Sequence, residues 1–262
     1  MFFFLPYLVD VPMHRWPIAN WILILLTCII SIGMFPQVHR WERHAASHMQ
    51  YSMHNGHLVE TYVAGGQHQR MIDYFLEQPG NFQISQLVGS LFLHAGWIHL
   101  LGNMFFLWLF GNAVNAKLGH WQFLALYFSA GIFAGLVYLI FGPQIPVLGA
   151  SGAIMGIMGA FFMLYPRNDV CCAWGLLLAY GVTRVSCYWP LGVYFLLDLW
   201  GTLNGGGAIA HISHVAGFTF GAAVLGLLLW RGLVELRASE ENMLQVLRLQ
   251  PLTPPPARQA DQ

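Results

Sequence analysis

Nineteen consecutive residues from Pro17 to Phe35, PIANWILILLTCIISIGMF, carry no charge. About 20 apolar residues are needed to cross the hydrocarbon core of a bilayer. Further apolar runs follow at Trp97 to Ala116, Trp121 to Phe141, Ser151 to Tyr165, Ser186 to Gly201 and Ile209 to Trp230. Their length, and a charged fraction of only 8 % against about 25 % in ordinary soluble domains, leave too little polar surface for a water-soluble globule. The chain reads as an all-α, polytopic membrane protein with six transmembrane helices. A formal net charge of zero argues against the basic surface that nucleic-acid binding requires, so the lipid bilayer is the expected surrounding and nucleic acid is not an expected partner.

The organisation that follows is a short amino-terminal segment (1–16), a six-helix domain (17–230) with a long first loop at about 36–93, and a carboxyl-terminal tail (231–262) ending in PLTPPPARQADQ. Within that tail, LVELRASEENMLQVLRLQ (233–250) reads as a charged segment of helical character, and the proline-rich composition of PLTPPPARQADQ (251–262) predicts disorder. The first apolar run has no small-residue cleavage site after it and reads as a retained helix. The region Val170 to Trp200 reads as an interfacial or partly embedded segment followed by the fifth span. The fourth run is 15 residues, too short to cross at 1.5 Å per residue. Lys and Arg counts orient the chain. Arg15, Lys117, Arg167, Arg184, Arg231, Arg237, Arg248 and Arg258 fall on one side, and Arg40, Arg43 and Arg70 on the other. That asymmetry puts both termini in the cytoplasm. With no organelle presequence evident, the expected location is a bacterial plasma membrane.

Polar groups inside spans are costly and mark sites. Ser151, in VLGASGAIMG, opens the fourth run. A serine there serves either as a helix N-cap or, beside a base, as a nucleophile. His214 is the candidate base, and His211 is its rival, with a side chain free to turn toward loop or solvent. Gly152 and Gly156 in the fourth run, and Gly217 and Gly221 in the sixth, have the small-residue spacing that lets membrane helices approach closely. That contact would carry Ser151 toward His214. His99 and Asn103 share a helical face. They form either an interhelical hydrogen-bond pair or two donors aimed at an oxyanion. Asp198 reads as a structural hydrogen-bond partner, with a proton-relay role as the alternative. The six histidines of the first loop (His39, His44, His48, His54, His57, His68) lack an H-E-x-x-H motif, and no bound metal is expected from them. The four cysteines lack zinc-ligand spacing and read as small hydrophobes.

HAGWIHLLGNMFFLWLFG (94–111), LGASGAIMG (148–156) and AHISHVAGFTFG (210–221) resemble, in order and spacing, the three signatures of rhomboid intramembrane serine proteases. The resemblance covers about Pro17 to Trp230. It implies that Ser151, in Gly149-Ala150-Ser151-Gly152, is the nucleophile and His214 the general base, in a dyad without a third carboxylate. His99, Asn103 and the Ser151 backbone N–H would form the oxyanion hole, and His94 would serve structure. The fourth helix would begin in mid-membrane at the base of a water-filled cavity. Transmembrane segments of other membrane proteins would be the substrates, with no cofactor. Ser85-Gln86 stand where many members carry Trp-Arg. Met155 stands where some carry a tyrosine that stacks on the catalytic imidazole, so His214 must be held by packing or a sulfur contact. The rival functions are a catalytically inactive relative that binds membrane proteins and a small transporter using His99, Asp198 and His214 as a proton path.

Overall fold

A computed structural model describes residues 2–13, 15–46, 49–54, 57–62, 76, 82–143, 145–176, 179–204, 210–237 and 240–251. His48, His68 and the tail from 252 onward lie outside the described residues. The chain runs β1 (Phe2–Val9), α1 (Ile18–Ala46), the hairpin β2 (Met49–His54) and β3 (His57–Tyr62), and α2 (Ile84–Gly89). It continues with α3 (Trp97–Phe106), a π-helical turn (Leu107–Gly111), α4 (Asn112–Leu118), α5 (His120–Phe141) and α6 (Ser151–Leu164). Then come β4 (Asp169–Leu176), β5 (Ala179–Ser186), α7 (Tyr188–Leu203), α8 (His211–Trp230) and α9 (Met243–Val246).

The protein is mostly helical. Four of the six expected spans coincide with helices long and apolar enough to cross a membrane among the described residues: Ile18–Arg43, Trp97–Leu118, His120–Phe141 and His211–Trp230; length and composition do not establish the other two. α6 and α7, at 14 and 16 residues, are shorter. At 1.5 Å rise per residue α6 reaches about 21 Å, well short of a hydrocarbon core of about 30 Å. Nearly all of α6 is buried by protein, so its length need not match the lipid. One expectation is corrected: the chain is not all-α. The stretch read as an interfacial segment is a β-hairpin, and β1 completes an antiparallel sheet in the order β1-β4-β5. VCCAW and VTRVS are rich in β-branched and thiol side chains, which suit a pleated, half-buried surface. Pairing with β1 buries Val170, Cys171 and Cys172 and satisfies backbone groups that a short embedded helix would leave open.

α1 runs past Pro36, where the apolar stretch suggests a stop, because the residues beyond it have something to bury. Val38 and Trp41 pack with Leu76 and Leu93 in a separate small cluster, and the Arg40 side chain donates to the Pro36 carbonyl at 3.1 Å. Asn20, fully buried in α1, explains the π turn across from it. Its Nδ2 donates to the Leu107 carbonyl (3.0 Å) and to Asn112 Oδ1 (2.9 Å), and its backbone N–H donates to Asn115 Oδ1 (3.1 Å). The wider turn turns a carbonyl outward, and Asn20 satisfies it.

Past Trp230 the chain packs back on the bundle. Leu244 joins the main core, and Glu240 pairs with Lys117 where both side chains are almost fully buried. β1 and this return segment lie at the same end, opposite the starts of α3, α6 and α8.

Candidate active site

α6 and α8 cross at glycine. A β-carbon added to Gly217 would run into the carbonyl oxygen of Gly152, one at Gly221 into that of Gly156, and one at Gly159 into that of Phe218. Gly159 extends the ladder beyond the four glycines legible in the sequence. With no side chain between them the backbones touch, as small-residue membrane interfaces allow. Ser151 at the start of α6 and His214 in the first turn of α8 are thereby brought to one cavity of about 320 Å³, which His99, Asn103, Met155 and Asp198 also line.

His99 and Asn103 lie in the first two turns of α3 (Trp97–Phe106). His99 Nδ1 accepts the Ala95 N–H at 3.4 Å, which leaves the proton of a neutral ring on Nε2. That end of the ring lies against Gly149. A β-carbon there would stand 2.9 Å from both His99 Cε1 and Nε2, and Gly149 has φ 125°, where L side chains are strained. Gly149 is fixed in turn by its N–H, which donates to the Ser90 carbonyl at 3.0 Å. The Ser90 carbonyl is an anchor for which the sequence offers no signal. Asn103 donates one Nδ2 hydrogen to the His99 carbonyl (2.9 Å) and has a second to offer the cavity. The Ser151 N–H opens α6, where backbone donors lack intrahelical acceptors.

His94 is fully buried outside the cavity lining. The Ser31 hydroxyl donates to the Phe92 carbonyl (2.7 Å), so the 2.8 Å contact between Ser31 Oγ and His94 Nδ1 takes its proton from the imidazole. The His94 ring packs edge-on against His99, with centroids 5.0 Å apart. Burial, then the neighbouring His99, pushes its pKa down to about 3. A neutral ring thus ties α1 to the approach of α3. Gln86, in place of the arginine of the Trp-Arg pair, is buried in α2, and its side chain accepts the Gln83 N–H at 3.1 Å.

The larger correction concerns His214. The expectation of a dyad without a carboxylate gives way to a carboxylate at hydrogen-bond distance. His214 Nδ1 lies 3.0 Å from Asp198 Oδ1. His211 Nδ1 approaches the same oxygen at 2.7 Å, so His211 turns inward rather than toward loop or solvent. Its ring packs over Gly201, where a β-carbon would fall 2.5–2.6 Å from ring atoms. Asp198 is therefore the polar group that orients His214, where packing or a sulfur contact from Met155 was expected. Ser151 Oγ and His214 are not hydrogen-bonded among the described residues; such contacts are often long without substrate.

A family profile described as Rhomboid domain matches residues 81–231. The chain is 32 % identical over 169 residues to the presenilin-associated rhomboid-like protein A, mitochondrial, of Danio rerio, covering 62 % of this chain and 43 % of that protein. It is 38 % identical over 91 residues to rhomboid protein 1, mitochondrial, of Saccharomyces cerevisiae, covering 32 % and 26 %. It is 31 % identical over 148 residues to the rhomboid protease GluP of Bacillus subtilis, covering 54 % and 26 %. The matched stretches span less than half the length of each of these relatives.

Proposed function

The chain belongs to the rhomboid family, and from that membership we propose that it is an intramembrane serine endopeptidase cutting peptide bonds in or near transmembrane segments of membrane proteins. One observation carries the proposal: Ser151, His214, His99, Asn103 and Asp198 line a single cavity. His214 Nδ1–H donates to Asp198, which leaves Nε2 as the acceptor for the Ser151 proton. Ser151 Oγ then attacks the substrate carbonyl carbon. The oxyanion is met by His99 Nε2–H, the free Asn103 N–H and the Ser151 backbone N–H. His214 returns its proton to the leaving amine, and water from the cavity hydrolyses the acyl-enzyme. Removing one oxyanion donor costs about 10²–10³ in rate in soluble serine proteases. Gly149, Gly152, Gly217 and Gly221 act by letting the parts approach, and Met155 lines the same cavity.

The protein is integral to a membrane. Its relatives come from mitochondria and from a bacterium, so the bacterial plasma membrane is one of two settings they span. On the charge asymmetry we place both termini in the cytoplasm or the equivalent compartment.

A second reading, a rhomboid-like protein that binds membrane proteins without cutting them, draws on the absence of a Ser151–His214 hydrogen bond among the described residues. Cleavage of a single-pass reporter in liposomes separates the two. Loss of cutting in Ser151→Ala and His214→Ala supports the protease. A folded wild type that neither cuts nor labels at Ser151 with a fluorophosphonate supports the binder.

A further inference from the structure

Asp198, His211 and His214 are the one group of three ligand-type side chains found among the described residues whose donor atoms all lie within 4.8 Å of one another. His211 and His214 stand three apart on one face of α8, and Asp198 reaches them from α7. The three side chains are 13–19 % exposed, so they are neither sealed nor freely solvated. Two imidazoles and a carboxylate are a ligand set for zinc and similar divalent transition ions. In a tetrahedral zinc site with bonds of about 2.0–2.2 Å, neighbouring ligand atoms stand roughly 3.3 Å apart. The two Asp198–histidine separations, 2.7 and 3.0 Å, need to open by only about 0.3–0.6 Å to reach that spacing. Asp198 and His214 also line the cavity, which gives an ion a route in and water a place in the fourth position.

We propose that Asp198, His211 and His214 form an inhibitory binding site for a divalent transition-metal ion, of which zinc is the best match. The inhibition rests on the reading of His214 as general base. A metal bound to the Nδ1 atoms of His211 and His214 takes a lone pair from each, so the single proton of each neutral ring moves to its Nε2 through water. His214 Nε2 is then no longer able to accept the Ser151 proton. No covalent bond between heavy atoms forms or breaks, and each ring keeps its charge. His211, which the hydrolytic chemistry does not use, is what turns a hydrogen-bonded carboxylate–imidazole pair into a chelate.

The experiment uses the tag-free full chain in detergent. Co²⁺ is titrated against Ser151→Ala with and without His211→Gln, following ligand-field absorption, and Zn²⁺ is titrated against cleavage by wild type and His211→Gln. Glutamine retains a donor for Asp198, and His211→Ala serves as a second variant if glutamine disturbs folding. The first-loop histidines are common to all variants and cancel in the comparison. The expected result is one Co²⁺ equivalent lost with His211. With each protein read against its own zinc-free rate, inhibition of His211→Gln should need at least about tenfold more zinc, the lower end of what losing even an outer-shell partner costs. Equal Co²⁺ uptake with and without His211, or equal zinc sensitivity, overturns the site. Loss of the Co²⁺ equivalent in a protein that cleaves nothing upholds the site and refutes the protease reading instead.

Discussion

Asp198→Asn isolates the least expected element of the site. The substitution keeps size and shape but removes the charge that accepts from His214 Nδ1 at 3.0 Å. A hydrogen bond to a charged group is worth about 1.5–3 kcal/mol, and that charge matters most when the imidazole becomes imidazolium in the transition state. At 1.36 kcal/mol per factor of ten, the loss of kcat is about 10- to 150-fold. A second effect adds to it. The asparagine amide can donate to Nδ1, which favours the tautomer with its proton on Nε2, and that tautomer is unable to accept from Ser151. In a soluble serine protease the equivalent change costs about 10⁴. The assay is initial-rate cleavage of a fluorescent transmembrane reporter in proteoliposomes, with fluorophosphonate labelling of Ser151 in parallel. A positioning role predicts a fall in kcat and in labelling rate with KM and thermal midpoint little changed. A purely structural role would lower the midpoint and leave the residual folded enzyme with its normal kcat. If Asp198→Asn stays within about twofold of wild type in kcat, the carboxylate does not serve His214 and the reasoning fails.

Gly149→Ala pushes a methyl toward the His99 ring at a backbone angle of 125°. Activity should fall by about 10²–10³, as for one lost oxyanion donor, and wild-type kinetics would show that His99 supplies none. Gly217→Val places a branched side chain on the Gly152 carbonyl; the overpacking should cost about 1–3 kcal/mol or more, read as a lower thermal midpoint in detergent, and an unchanged midpoint would deny the close α6–α8 contact. Lys117→Met removes the cation that pairs with buried Glu240, a loss of about 3–5 kcal/mol that Lys117→Met/Glu240→Gln should largely recover. The buried His94 adds a pH dependence. Its pKa is about 3 folded against the ordinary 6.5, so below pH 6.5 the unfolded chain takes up a proton that the fold excludes. Its contribution is fully present above pH 6.5 and shrinks by up to about 1.4 kcal/mol per unit as pH falls toward 3. Unfolding measured from pH 7 to pH 5 should show that slope in wild type and lose it in His94→Gln.

Much of this molecule is local and therefore legible in the sequence. A helix in a membrane is decided by a run of apolar residues and by the groups that end it, and both are read one segment at a time. The apolar runs at Trp97, Trp121 and Ser151 each lie within a residue of a helix start, and glycines four apart in two of the runs foretell which helices pack face to face. The first ten residues were harder, because β1 exists only by pairing with β4 across some 160 positions of chain. Pro36 misleads as well: it ends the apolar run, yet α1 continues because Val38 and Trp41 find Leu76 and Leu93 to bury against. The carboxylate on His214 belongs to the same class. Asp198 is visible as a costly charge in an apolar helix, but its partner depends on how α7 leans on α8, with His211 folded over Gly201. The sequence by itself determined which segments are apolar enough to form long helices and which polar residues interrupt them, because hydropathy and side-chain chemistry are properties of each segment. Only the tertiary structure decided which of those residues meet, because a hydrogen bond of 3.0 Å between two helices is set by their packing and not by either one.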